Sequence, residues 1–126
     1  MTITSAKDLV AAANREVETL GVDQARTLHD RGEAVFVDVR EPPEQAKGTV
    51  PGAVLIPRGL LEFQADPTNP AHKQELHAGR KLVLYCASGG RSALAAKTLK
   101  DMGFTDVAHM LGGYTAWAEA GLPTEK

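Results

Sequence analysis

Leu82-Val83-Leu84-Tyr85-Cys86-Ala87-Ser88-Gly89-Gly90-Arg91-Ser92-Ala93-Leu94-Ala95-Ala96 reads as a strand, a tight loop and a helix in one run. Four apolar residues lead into the chain's only cysteine, and four short residues, two of them glycine, separate it from Arg91. Helix formers then continue from Ser92 to Met102. Gly89 and Gly90 carry no Cβ, so the loop can turn successive backbone N–H groups inward. Such a nest holds an anion. The helix that follows adds unpaired N–H groups and the positive end of its dipole at the same point. A thiol placed there ionises more readily than the reference value of about 8.5. Each unit of lowering favours the thiolate by about 1.4 kcal/mol. Arg91 adds a permanent cation with a fork suited to oxyanions.

A lone cysteine at the end of an apolar strand is ordinarily a small buried hydrophobe. The Gly-Gly-Arg beyond Cys86 argues otherwise, because a packing cysteine needs neither a nest nor an arginine beside it. The expectation is therefore a nucleophilic Cys86 at the start of an anion-holding loop formed by Ala87, Ser88, Gly89, Gly90, Arg91 and Ser92.

The rest of the chain alternates helical and extended patterns. Ser5-Ala6-Lys7-Asp8 resembles a capping box and opens a helix over Ala6 to Glu16. That helix is read as an appendage packed on the domain, with partner docking as the alternative. Val17 to Leu20 suits an edge strand, and Val22 to Arg31 a helix stopped by Gly32. Ala34 to Val39 is a nearly continuous apolar run, the pattern of a strand buried on both faces of a parallel sheet. Glu44 to Lys47 makes a turn or two, Ala53 to Ile56 a short strand, and Arg58 to Phe63 a short helix. Gln64 to Gly79 is irregular, with a helix expected from Ala71 to Leu76. His72 and His77 lie five apart, which places them on different helical faces and argues against a metal site. Val107 to Leu111 is a last strand, and His109 within it is read as a packed or edge histidine rather than a base. Gly112-Gly113 opens a final helix through Ala120, with Trp117 in the core. In the helix after Arg91, Leu94, Ala95, Leu99 and Met102 are expected on one side, with Lys97, Lys100 and Asp101 elsewhere.

This alternation argues for a three-layer α/β domain: a mostly parallel central sheet flanked by helices, with right-handed crossovers. In such sheets the ligand site lies at the carboxyl ends of the strands, where the Cys86 loop sits. The 126 residues suffice for one domain with a real core, and the net charge of −2 gives nucleic-acid binding no support. One cysteine excludes an intramolecular disulfide framework and a resolving thiol. It fits a reducing, cytoplasmic setting. No apolar run approaches the roughly 18 residues that span a bilayer, and the N-terminus does not read as a signal peptide. No membrane partner is implied, and oligomeric state is not legible.

Four segments, in order, resemble the single-domain rhodanese family of sulfurtransferases. They are Val37-Asp38-Val39-Arg40-Glu41, Val50-Pro51-Gly52-Ala53, Cys86-Ala-Ser-Gly-Gly-Arg91-Ser92, and Gly112-Gly113-Tyr114-Thr-Ala-Trp117 leading to Ala120-Gly121-Leu122-Pro123. The resemblance divides the chain into an N-terminal helical extension, residues 1–16, and a rhodanese-like domain, residues 17–126. It implies a rhodanese-like α/β fold and a Cys86 thiolate that takes the outer sulfur of thiosulfate or a persulfide donor. The sulfur then passes to cyanide or a thiol, with no cofactor and no metal. Asp38 and Arg40 occupy the family's structural Asp-x-Arg, which implies a core hydrogen-bonded carboxylate and an ion pair. Arg58 is a candidate rim cation, and Arg91 is read as an anion binder, with loop bracing as the alternative. The family commonly has histidine where Thr49 stands and tryptophan where Tyr114 stands.

Two rival readings share these residues. A cysteine-dependent phosphatase or arsenate reductase uses a related loop, usually with five residues between Cys and Arg rather than the four present. A sulfur-relay or binding module would take persulfide from one protein and pass it to another without turning over small substrates.

Overall fold

A computed structural model describes residues 2–126. Helix α1 (Ala6–Glu16) opens the chain, with Ser5 Oγ accepting the Asp8 N–H at 3.0 Å as its cap. Then follow β1 (Glu18–Leu20), α2 (Val22–Asp30), β2 (Val35–Asp38), α3 (Pro42–Gln45) and β3 (Val54–Leu55). A single 3-10 turn (Arg58–Leu60) leads into α4 (Leu61–Ala65). The remaining elements are β4 (Leu82–Tyr85), α5 (Gly90–Asp101), β5 (Val107–Met110) and α6 (Gly113–Glu119). The strands form one parallel sheet in the order β1-β5-β4-β2-β3.

Alternation along β4 divides the core. Leu82 and Leu84, with Cys86 beyond them, face the layer built by α4 and α5. Val83 and Tyr85 face the layer that holds Ala25 of α2 and Trp117 of α6. Trp117 is buried and meets His29 and Phe36 edge-on. Its indole N–H donates to the Pro123 carbonyl at 2.7 Å, which ties down the segment after α6. Helix α1 packs along α5, and no helix among the described residues is long and apolar enough to cross a membrane.

Two local expectations are corrected. Residues Ala71 to Leu76 form turns, not a helix. The backbone bonds there leave the helical ladder: Lys73 N–H donates to the Gln64 carbonyl at 2.8 Å, while His72 and Leu76 close separate turns on the Asn69 and Lys73 carbonyls, each at 3.0 Å. Leu76 is still buried, so the segment is anchored by one side chain rather than by a helical face. On α5 the buried stripe is Ser92, Ala93, Ala95, Ala96 and Leu99, while Met102 is 41% exposed. The small residues let this helix lie close to the sheet. Helix α3 starts on Pro42, which suits a first helical turn.

Gly112 and Gly113 determine how α6 meets the site. Both have positive φ, +77° and +59°. The turn they make aims the first N–H groups of α6 at the end of β4: Tyr114 N–H donates to the Cys86 carbonyl at 2.8 Å and Thr115 N–H to the Ala87 carbonyl at 3.1 Å. A Cβ on Gly113 would collide with the Cys86 carbonyl oxygen and lie 2.7 Å from the Ala87 carbonyl. At Gly121 (φ +73°) a Cβ would meet nothing within 4 Å. Gly121→Ala should therefore cost about 1 kcal/mol from backbone strain alone, and Gly113→Ala about 3 kcal/mol or more. Urea denaturation of both variants beside the parent checks this; equal losses would mean the close approach at Gly113 has no energetic weight.

Candidate active site

Cys86 is the first residue beyond β4, and its thiol lies under the start of α5. The loop closes because Gly89 adopts φ +125°, a conformation closed to ordinary side chains. The Gly89 N–H reaches Cys86 Sγ at 3.1 Å and the Ser92 N–H reaches it at 3.4 Å, with Ser92 Oγ at 3.5 Å. Burial pushes the thiol's pKa up, since only 1% of Cys86 is exposed. The hydrogen bonds of Ser92 Oγ and of the Ser92, Gly89 and Ser88 backbone outweigh that, and the thiol ends below its ordinary value.

Arg91 does not reach over the thiol with a free fork. Its Nη1 and Nη2 donate to Glu44 Oε1 and Oε2 at 2.8 and 2.9 Å, a bidentate pair between α5 and α3. Glu44 Oε1 also accepts the Glu41 N–H at 3.0 Å. The Arg91 bond and that backbone bond hold the Glu44 carboxyl at about 2, and Glu44 raises the guanidinium above its ordinary value. Glu44 was not singled out from sequence. The one available signal was its position three residues after Glu41, a capping spacing behind Pro42-Pro43.

Asp38 and Arg40 form a buried strut beneath the loop. Arg40 Nη2 and Nε donate to Asp38 Oδ2 at 2.8 and 3.1 Å, and Nη2 also donates to the Gly48 carbonyl at 2.6 Å. The guanidinium lies 4.2 Å from the Tyr114 ring centroid, and Tyr114 stacks on Tyr85. Arg58 lies elsewhere: it donates to Glu62 Oε1 at 2.9 Å and Thr98 Oγ1 at 3.2 Å, along the flank of α5. His72 Nε2 is bonded to the Leu76 carbonyl and His77 is exposed. Among the described residues no group of three or more His, Cys, Asp or Glu is placed to hold a metal. An apolar cavity of about 220 Å³ between Pro67, Leu76, Met102 and Phe104 lies at the far end of the strands, away from Cys86.

His109 is buried on β5 beside the loop. Its Nδ1 lies 3.1 Å from Ser92 Oγ, and its Nε2 lies 2.7 Å from Asn14 Oδ1 of α1. A strand histidine and a helix asparagine 95 residues apart carry no joint sequence signal.

Residues 21–120 match the rhodanese-like domain family. A sulfurtransferase of Allochromatium vinosum is 35% identical over 99 residues, covering 79% of this chain and 85% of its own length. Human thiosulfate:glutathione sulfurtransferase is 34% identical over 108 residues, covering 80% of this chain and 93% of its own length. A solved structure from Rhodopseudomonas palustris, of a protein of unknown function described as a possible tyrosine phosphatase, superposes with TM-score 0.92. It is 46% identical and covers 99% of this chain and 98% of its own.

The Glu44 pair has a pH signature. Its folded value of about 2 lies below the ordinary 4.5, so its contribution is complete above about pH 4.5 and is lost as pH falls toward 2. Both side chains are about a third exposed, so the contribution at neutral pH is at most about 1 kcal/mol. Glu44→Gln should be slightly less stable than the parent at pH 7, and the gap should close as acid is added through that window. A gap independent of pH would show that the carboxylate charge is not what holds Arg91.

Proposed function

The chain belongs to the rhodanese-like domain family, and on that premise we propose that it moves sulfane sulfur through a persulfide on Cys86. The donor is thiosulfate or a persulfide; the acceptor is a thiol or cyanide. The Cys86 thiolate attacks the outer sulfur of the donor, a new S–S bond forms, and sulfite or the donor thiolate leaves with the electron pair of the old one. The acceptor then attacks the terminal sulfur, and Cys86 leaves as the thiolate it began as. Every electron pair comes from sulfur or from the acceptor, so the exchange calls for no cofactor.

One observation carries this reading: Cys86 Sγ sits on the N–H groups of Gly89 and Ser92 at the mouth of α5. Donors fixed in that way stabilise both the attacking thiolate and the outer sulfur of the persulfide. The remaining loop residues, Ala87, Ser88 and Gly90, bring further small, backbone-rich surface to the same place. The Arg91–Glu44 pair supports bracing as the role of Arg91, and the Asp38–Arg40 strut supports a structural role for those two. Arg58 keeps its proposed rim role only if Glu62 releases it. A reducing, cytoplasmic compartment suits this cycle, since it supplies thiols as acceptors.

The phosphatase reading rests on the description of the Rhodopseudomonas protein. Against it stand the four-residue interval before Arg91 and a guanidinium already satisfied by a carboxylate. Turnover of an aryl phosphate faster than sulfur transfer, and dependent on Cys86, would decide for it.

Two measurements test the proposal. Intact-protein mass spectrometry after brief thiosulfate exposure should show a gain of one sulfur that cyanide or a thiol removes. Cys86→Ser should gain none and keep the fold. No gain on the parent chain would overturn the persulfide. Separately, the rate of Cys86 alkylation against pH should have its midpoint below the reference of about 8.5. A midpoint at or above it would mean that the loop does not activate the thiol.

A further inference from the structure

Three side chains continue in line from the thiol, Ser92 and His109 buried and Asn14 exposed on α1. Ser92 Oγ is 3.5 Å from Cys86 Sγ and 3.1 Å from His109 Nδ1, and His109 Nε2 is 2.7 Å from Asn14 Oδ1. We propose that His109 is a positioning residue that takes the Cys86 proton through Ser92, with Asn14 fixing its tautomer, so that α1 belongs to the working site. This rests on Cys86 being the nucleophile.

The proton count follows from the acceptors. Asn14 Oδ1 can only accept, so Nε2 carries hydrogen and Nδ1 presents a lone pair. The Ser92 hydroxyl has one proton and also lies 3.2 Å from the Gly89 carbonyl. Given to Nδ1, its shorter contact, that proton leaves an oxygen lone pair facing the thiol. Cys86 S–H then donates to Ser92, Ser92 to His109, and His109 to Asn14, all in one direction. Ionisation moves one proton along this line: Sγ gives its proton to Ser92 Oγ, and Ser92 gives its own to Nδ1. Ser92 now donates to the thiolate, and a doubly protonated imidazolium lies behind it. No outside acid or base is consumed.

The surroundings leave that imidazole to the network. The elements packed against it offer Asn14 from α1, Thr19 from β1, Ser92 from α5 and, through Ser92, Cys86 just beyond β4. Burial alone holds the group below its ordinary value, with no charged side chain acting on it among the described residues. It is therefore a neutral acceptor near pH 7, and the charge it gains is matched to the thiolate across Ser92.

Thiolate absorbance titration of the full-length chain tests this without any sulfur donor. Asn14 is exposed, so its replacement leaves the core intact. Asn14→Asp puts a carboxylate on the Nε2–H, stabilises the imidazolium, and should lower the Cys86 midpoint by about one unit, a tenfold rise in thiolate at fixed acidic pH. His109→Asn can accept from Ser92 but cannot hold the proton, and should raise the midpoint by a similar amount. Nitrogen NMR of the imidazole should show an Nε2–H tautomer that gains its second proton as Cys86 ionises. An unmoved midpoint in folded Asn14→Asp, or an imidazole that stays neutral through the Cys86 transition, overturns the relay. Failure to gain sulfur from thiosulfate would remove the sulfur-transfer reading while leaving these titrations standing.

Discussion

A thiol that ionises beneath a nearly closed surface has to be held by dipoles when the nearest guanidinium is already paired with a carboxylate. Removing such a charge from water costs several kcal/mol, and one charge-assisted hydrogen bond returns about 1.5–3 kcal/mol. One donor is therefore too few. The Gly89 N–H and both donors of Ser92 converge on Cys86, and together they carry the thiol below its ordinary value despite its burial. The geometry requires a loop that turns at Gly89 and a helix that starts at Gly90, so the two glycines follow from the charge they serve. Arg91, the neighbouring cation, is held in a bidentate pair by Glu44 and also feels the charge of Cys86.

That loop needs a fixed floor. Below it, the Asp38–Arg40 pair ties the end of β2 to the Gly48 turn, and the rings of Tyr85 and Tyr114 cover the guanidinium. Tyr85 precedes Cys86, and the Tyr114 N–H binds the Cys86 carbonyl, so both flanks of Cys86 are attached to one buried cation. A partner lost from such a pair leaves an uncompensated buried charge at a cost of about 3–5 kcal/mol. Where the family commonly has tryptophan, Tyr114 supplies an aromatic face to Arg40.

Local pattern made much of this readable. The apolar runs at Ala34 to Val39 and Leu82 to Tyr85 are strands because both faces of a parallel sheet are covered. The strand–loop–helix around Cys86 follows from Gly-Gly and the helix formers after it. What stayed hidden is of two kinds. The region from Ala71 to Leu76 has helix-forming composition, yet its backbone bonds go to separate turns and to the distant Gln64 carbonyl, a partner that no local pattern announces. Long-range partners are the other kind: Glu44 lies 47 residues from Arg91, and Asn14 lies 95 from His109. Neither separation leaves a periodicity to read, and only the closed fold brings the pairs together.

The order of the strands also has a kinetic consequence. β1 docks on β5 at the sheet edge, joining Thr19 to His109 across 90 residues. Closing a loop of that length costs about 4 kcal/mol of chain entropy before any contact is gained. The central pairs β2–β4 and β4–β5 close far shorter loops. Contacts of such long sequence separation form late, and a three-residue edge strand frays early. Pairing β1 therefore carries the largest closure cost in the sheet, and α1, which packs along α5, belongs to the segment that this pairing anchors.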